Sequence, residues 1–236
     1  MFQLLKIAAA SLAGLAVLAG VVWLAFFSEH LRFRQLRVVG NDRASEAALR
    51  HLADLPVGEP LLALDLDAAV AGARRHPWVA GATARRVFPD TVVLQVTERE
   101  VKALLLLDGL YLVDADGVPF RKADARDLDH PVLTGVPADV AQRDPDLARR
   151  IVAEGLAWLD AAPGRAGVTA RDVSEVRFDA QAGYTLALRN GGEVLVGFDR
   201  PSALARLDQL ASRGVSLTSP LRIDLGSPRL AVVSPL

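Results

Sequence analysis

The chain has 236 residues, 51% of them hydrophobic and 23% charged, and its 27 Lys and Arg against 28 Asp and Glu leave a net charge of −1. That length holds one large domain or two small ones beside a membrane segment. The composition predicts a folded chain, and without a basic excess it argues against nucleic-acid binding. There is no cysteine, which excludes disulfides, thiolate catalysis and cysteine-ligated metals and is compatible with an oxidising compartment.

Residues 7–27, IAAASLAGLAVLAGVVWLAFF, carry no charged side chain. About 20 residues cross a hydrocarbon core, so this run predicts a transmembrane helix. It exceeds the roughly 7–15 apolar residues of a cleaved signal peptide. Trp23, Phe26 and Phe27 sit at its end, where aromatic residues favour the interface. Residues 1–6 are then a short cytoplasmic N-terminus and 28–32 a linker. Lys6 precedes the span, while Arg32, Arg34, Arg37 and Arg43 follow it. The positive-inside rule alone places the C-terminal bulk in the cytoplasm, although large folded domains translocate despite such charges.

Leu36 to Gly40 reads as a short strand ending in a turn. Ser45 caps a helix through Ala53, with Leu49 and Leu52 inward. Asp65 or Asp67 caps a second helix with Val70 and Ala73 on one face. It ends by His76, since the residue before Pro77 avoids helical backbone. Two strands follow, joined at Phe88-Pro89-Asp90, the second with Val92, Leu94 and Val96 on one face. Strand, helix, helix, strand, strand satisfies a three-stranded sheet with both helices on one face. Val101–Leu107, Leu110–Val113 and Val118–Phe120 read as strands, with a tight turn at Asp114-Ala115-Asp116-Gly117 and a charged loop over Arg121–His130. Pro131-Val132-Leu133 resumes order. Asp144 caps a helix with Pro145 first, Leu147, Ile151, Leu156 and Leu159 facing inward and Pro163-Gly164 ending it. Val176 and Phe178 alternate with charged residues. Tyr184–Leu188 and Val194–Val196 flank the hairpin signal Asn190-Gly191-Gly192. Pro201–Leu210 is a helix with Leu204 and Leu207 inward, and Leu221–Leu225 and Leu230–Val233 are the last strands.

No pattern of reactive residues emerges. His30, His51, His76 and His130 lack metal-ligand spacing. A calcium loop opening at Asp114 needs Glu at its twelfth position, where Ala125 stands. No Ser sits in a nucleophile elbow. The reading is a non-enzyme with no cofactor, no metal and no small-molecule substrate.

Val38-Val39-Gly40, His76-Pro77-Trp78-Val79, Arg85-Arg86-Val87-Phe88-Pro89-Asp90, Val96-Thr97-Glu98-Arg99, Leu112-Val113-Asp114-Ala115-Asp116-Gly117 and Ile223-Asp224-Leu225 stand in an order that resembles the bacterial cell-division FtsQ/DivIB family. The resemblance covers essentially the whole chain. It implies an α+β protein: an N-terminal transmembrane helix, a POTRA domain (β-α-α-β-β) over 33–100, and a mixed C-terminal β domain with helices over 101–236. It implies a single-pass inner-membrane scaffold at the division septum with its bulk in the periplasm. Such a scaffold links early and late division proteins and holds small bitopic partners of the FtsB/FtsL type.

By that resemblance the last strand, Leu230, Ala231, Val232 and Val233, receives a partner strand, with Ser227 in the turn before it. Members of the family place an arginine and a tyrosine where Gly226 and Ser227 stand, and an arginine near Gln181. A second partner surface is expected on the second POTRA strand, where Ala82, Ala84 and Arg86 are read as outward-facing. The alternative is a POTRA-containing secretion or outer-membrane assembly factor, which ordinarily has repeated POTRA units or a β-barrel.

Overall fold

The computed structural model describes residues 11–20, 23, 29–169, 171–227 and 231–235. Residues 11–20 are helical with exposed side chains. Among the described residues no helix is long and apolar enough to cross a membrane. The rest of the expected span, 7–10, 21, 22 and 24–27, lies outside the described residues. From there the chain divides into two compact units, Met1–Arg99 and Glu100–Leu236.

The first unit runs β1 (Gln35–Val39), α1 (Glu46–Ala53), α2 (Leu66–Ala73), β2 (Val79–Val87) and β3 (Thr91–Glu98). Its sheet has the order β1-β3-β2, with β1 parallel and β2 antiparallel to β3. A parallel pair requires a crossover, and α1 and α2 supply it. Ser45 Oγ accepts the Ala48 N–H at 3.2 Å, and Asp65 Oδ1 accepts the Ala68 N–H at 2.9 Å, so each helix starts at a side-chain cap. Leu36, Val92, Leu94 and Val96 are buried with Leu49, Ala53, Ala69 and Ala73 of the helices. Gly72 and Ala73 are buried on α2 while Val70 is half-buried, because small residues let this helix sit close to the rest of the unit. Gly40 has φ +85°, and a Cβ there would overlap the Val96 carbonyl, so β1 ends on a residue with no side chain.

The second unit holds β4 (Ala103–Leu106), β5 (Leu110–Val113), β6 (Pro119–Lys122), β7 (Val132–Thr134), α3 (Ala138–Arg143), α4 (Pro145–Ala161), β8 (Val173–Asp179), β9 (Gly183–Leu188), β10 (Glu193–Gly197), α5 (Arg200–Ser212), β11 (Leu221–Asp224) and β12 (Val232–Pro235). Its strands form one sheet of order β12-β11-β10-β9-β8-β7-β4-β5-β6. Hairpins make the β4–β5, β5–β6, β8–β9 and β9–β10 pairs antiparallel. β7 and β8 are parallel across α3 and α4, and β10 and β11 are parallel across α5. The core joins Val173, Val176, Leu186, Val194, Val196 and Ile223 of the sheet to Ile151, Val152, Trp158, Ala203 and Leu207 of the helices. The Tyr184 hydroxyl donates to the Ile151 carbonyl at 3.0 Å and fastens β9 to α4.

One helix position differs from the sequence expectation. On α4 the buried set is Ile151, Val152, Gly155, Leu156 and Trp158, while Leu147 is exposed and Leu159 half-buried. Leu147 lies in the first turn, next to the Asp144 cap, before the helix reaches the sheet. On α5, Leu207 is buried and the half-buried Leu204 packs against the same core, as expected, with Ala203 buried beside them.

Candidate partner-binding edges

The nine-stranded sheet of the second unit ends at β12 on one side and β6 on the other. Main-chain groups alternate direction along a strand, so one hydrogen bond sets the direction of the rest. The Leu225 N–H donates to the Leu195 carbonyl at 2.8 Å. Odd-numbered residues of β11 therefore turn their main chain to β10, and Arg222 and Asp224 turn theirs to β12. Their partners in the register are Ser234 and Val232. It follows that Val232 and Ser234 are bonded to β11, while Ala231, Val233 and Pro235 direct their main chain away from the sheet. Proline has no N–H, so at 235 it sacrifices no bond to β11 and ends the row of outward donors.

Val232 is 58% exposed and Val233 39%. Val233 lies opposite Ile223 and Val232 opposite Asp224, so the valines flank the edge on opposite faces of the sheet. Leu230, the first residue of the expected strand, lies outside the described residues. The Ser227 carbonyl accepts from Arg206 Nη1, which ties the approach to β12 onto α5. The far end, β6, reads Pro119-Phe120-Arg121-Lys122, and proline and cations are the residues that protect a free edge. The two ends of one sheet thus differ in charge: β6 carries Arg121 and Lys122, and β12 carries no charged residue.

The first unit has an edge at β2. The Gln35 N–H donates to the Asp90 carbonyl at 3.3 Å, so Val92, Leu94 and Val96 turn their main chain to β1. Opposite them stand Arg86, Ala84 and Ala82, whose main-chain groups therefore point away from β3. These are the three residues expected on this edge, but their side chains correct the outward reading. Ala82 is buried, Ala84 and Arg86 are half-buried, and Arg86 donates to the carbonyls of Leu61 at 2.8 Å and Leu64 at 2.6 Å. The alternation places them on the face that carries the helices, and the outward residues are Thr83 and Arg85. A groove of about 690 Å³ runs along this edge between α2 and β2, lined by Leu66, Val70, Ala71, Arg74, Ala82 and Ala84. Arg74 Nη2 reaches the outward Ala82 carbonyl at 3.5 Å.

Several motif residues prove to be fastenings of the fold. Glu98 accepts the N–H groups of Asp42 at 2.9 Å, Arg43 at 3.0 Å and Ala44 at 2.7 Å. Burial opposes its ionisation, but the Ala44, Arg43 and Asp42 donors outweigh that and hold its pKa below the usual value. Trp78 is buried, and the Arg43 guanidinium lies 4.6 Å from its ring centroid. Asp114 is buried, its Oδ1 accepting the N–H groups of Asp116 at 3.0 Å and Val118 at 2.9 Å. The aspartate thus builds the β5–β6 turn. In the charged loop, Arg121 bridges Asp124 at 2.9 Å and Asp127 at 2.8 Å, the latter carboxylate being buried. Among the described residues no cluster of His, Cys, Asp and Glu could hold a metal ion.

Two family models match in tandem. A POTRA domain of FtsQ type covers residues 31–99, and the C-terminal domain of the cell division protein FtsQ/DivIB covers residues 103–226. The chain belongs to the FtsQ/DivIB cell-division family. It is similar to the cell division protein FtsQ of Anaeromyxobacter sp. (strain K), 37% identical over 215 residues that cover 88% of this chain and 73% of that one. FtsQ of Syntrophotalea carbinolica is 33% identical over 188 residues, covering 78% and 67%. FtsQ of Myxococcus fulvus is 35% identical over 183 residues, covering 75% and 64%. The family's C-terminal model ends at Gly226, so β12 lies beyond the residues that it matches. Arg206 and Arg74, which place the two edges, escaped the sequence reading because nothing in a single sequence marks which cation meets a distant carbonyl.

Proposed function

We propose that this member of the division family is a non-enzymatic scaffold that binds small bitopic partners of the FtsB/FtsL type by strand addition to β12. In this reading residues 7–27 cross the inner membrane, 1–6 stay in the cytoplasm, and 28–32 lead into a periplasmic POTRA domain over 33–100. The β domain over 101–236 follows, and the protein links early and late division proteins at the septum. Family membership supports the division role. The observation that carries the strand-addition reading is the register of β12. It leaves the N–H and C=O of Ala231 and Val233 open beside two exposed valines, while the other end of the same sheet is guarded. An added strand would satisfy those groups and cover the valines. The POTRA edge at Ala82, Ala84 and Arg86 is a second docking edge in this reading, supported by their outward main chain and the groove beside it.

The test is co-purification of the full-length chain, in detergent, with the FtsB- and FtsL-type proteins of its own organism. Val233→Pro removes an outward donor and leaves the β11–β12 bonds in place. The expected result is loss of capture at least tenfold with an unchanged circular dichroism spectrum. Undiminished capture by a folded Val233→Pro variant would overturn strand addition at β12.

A further inference from the structure

We infer that the helix-free face of the N-terminal sheet rests on the anionic headgroups of a bilayer, with Arg37 and Arg85 as its phosphate contacts. The inference rests on the reading of residues 7–27 as a membrane span. The cross-strand register puts Gln35, Thr91 and Val87 in one row of this face, Arg37, Val93 and Arg85 in the next, and Val39, Gln95 and Thr83 in a third. No acidic residue stands in these rows. Asp90 sits in the turn at one end, with its Oδ1 accepting the Thr91 hydroxyl at 2.9 Å. Arg37, Val39, Thr83, Arg85 and Gln95 are exposed. Val93 between the two arginines is 8% exposed.

The other three arginines between the expected span and α1 are engaged within the fold. Arg32 donates to the Gly58 carbonyl at 2.8 Å, Arg34 to the Glu29 carbonyl at 3.3 Å, and Arg43 covers Trp78. Among the described residues, Arg37 and Arg85 enter no ion pair and no side-chain hydrogen bond. Their Cα atoms are two strand spacings apart, about 10 Å, a separation suited to two phosphates. A guanidinium meets phosphate with two parallel N–H bonds. The face mixes these cations with Val39, Val87 and hydroxyl groups, and it lacks the unpaired main chain of the strand edges.

The tether decides the magnitude. One arginine near an anionic leaflet raises occupancy roughly fivefold, and two raise it about thirtyfold. That is weak for free association. It suffices for a domain tied to the same bilayer, since residues 28–34 span at most about 25 Å when extended and keep the headgroups at high local concentration. The four arginines that run against the positive-inside rule thus divide into three used by the fold and one, with Arg85, facing the membrane.

The chain has no cysteine, so Thr83→Cys places a single thiol on this face and Ala47→Cys, exposed on α1, serves as control. Each full-length variant is reconstituted into nanodiscs of phosphatidylcholine alone or mixed with phosphatidylglycerol, and labelling by a membrane-impermeant maleimide is timed. The expected result is at least fivefold slower labelling of Thr83→Cys with phosphatidylglycerol, no change for Ala47→Cys, and recovery in the Arg37→Gln/Arg85→Gln background. Equal rates in both lipids, or protection that survives removal of both arginines, overturns the inference while the span reading stands. Protection only after a division partner is added assigns the face to protein and overturns it too. A chain that fails to enter the discs overturns the span reading, and this inference with it.

Discussion

The carboxylate of Glu98, at the end of β3, accepts the main-chain N–H of Ala44 at 2.7 Å across 54 positions of sequence. Together with the bonds from Asp42 and Arg43, it holds the β1–α1 turn against the C-terminal end of β3, which is parallel to β1. Glu98→Gln keeps one acceptor and removes the charge. Stability should fall by about 1–3 kcal/mol, read as a lower urea midpoint with an unchanged slope. An unaltered midpoint would show that the turn is held by other contacts.

The same residue sets a pH dependence. Its folded pKa lies below its ordinary value despite burial, because the Ala44, Arg43 and Asp42 N–H groups favour the ionised form. The unfolded chain therefore binds the proton more readily, and the stabilisation is complete above the unfolded pKa of about 4.3 and lost as pH falls through the lower folded value. Asp124, held at about 2 by hydrogen bonds from Arg126 and Arg121, adds loss of the same sign at lower pH. Urea midpoints should decline below about pH 4.5, and less steeply in Glu98→Gln than in the parent. Parallel declines would remove Glu98 from the account.

Gly40→Ala tests the close approach of β1 to β3. The new Cβ would require a left-handed conformation and would overlap the Val96 carbonyl. A loss of at least about 2 kcal/mol is expected from strain and overlap together. Thermal unfolding followed by circular dichroism reads it, and a melting temperature within a degree or so of the parent would mean that the loop relaxes freely.

Adjacent prolines distinguish the bonded from the outward main chain of β12. Val232 is bonded to Asp224 across the register, so Val232→Pro removes a bond inside the sheet and should lower stability by about 1–3 kcal/mol. Val233→Pro, whose N–H points outward, should leave the melt nearly unchanged. Equal losses from both would contradict the alternation of main-chain direction argued from Leu225 and Leu195.

What was legible in the sequence followed from local chemistry. Ser45, Asp65 and Asp144 each cap the helix expected of them, because a cap is decided within four residues. Hairpins at Phe88-Pro89-Asp90 and Asn190-Gly191-Gly192 were readable for the same reason. The helix Ala138–Arg143 was not, since it opens after Pro137 with no side-chain cap bond. The main chain of Ala82, Ala84 and Arg86 faces outward at the edge, but alanine gives no polarity signal and the charge of Arg86 does not disclose its carbonyl partners at Leu61 and Leu64, so the face of their side chains is not legible in the sequence. The parallel pairings, and with them the direction of every free N–H, depend on crossovers that no local pattern encodes.

The position of β12 in chain order has a consequence for synthesis. Its partner β11 pairs in parallel with β10 across α5, so β11 must be seated before β12 has anything to lie against. β12 follows the other strands of its sheet, and its edge comes into existence only when the rest of that sheet is assembled. A chain interrupted after β11 would end the sheet at Arg222 and Asp224, with their main chain open and charged side chains alongside. The exposed valines of β12 therefore come to flank an ordered edge only after β11 is seated.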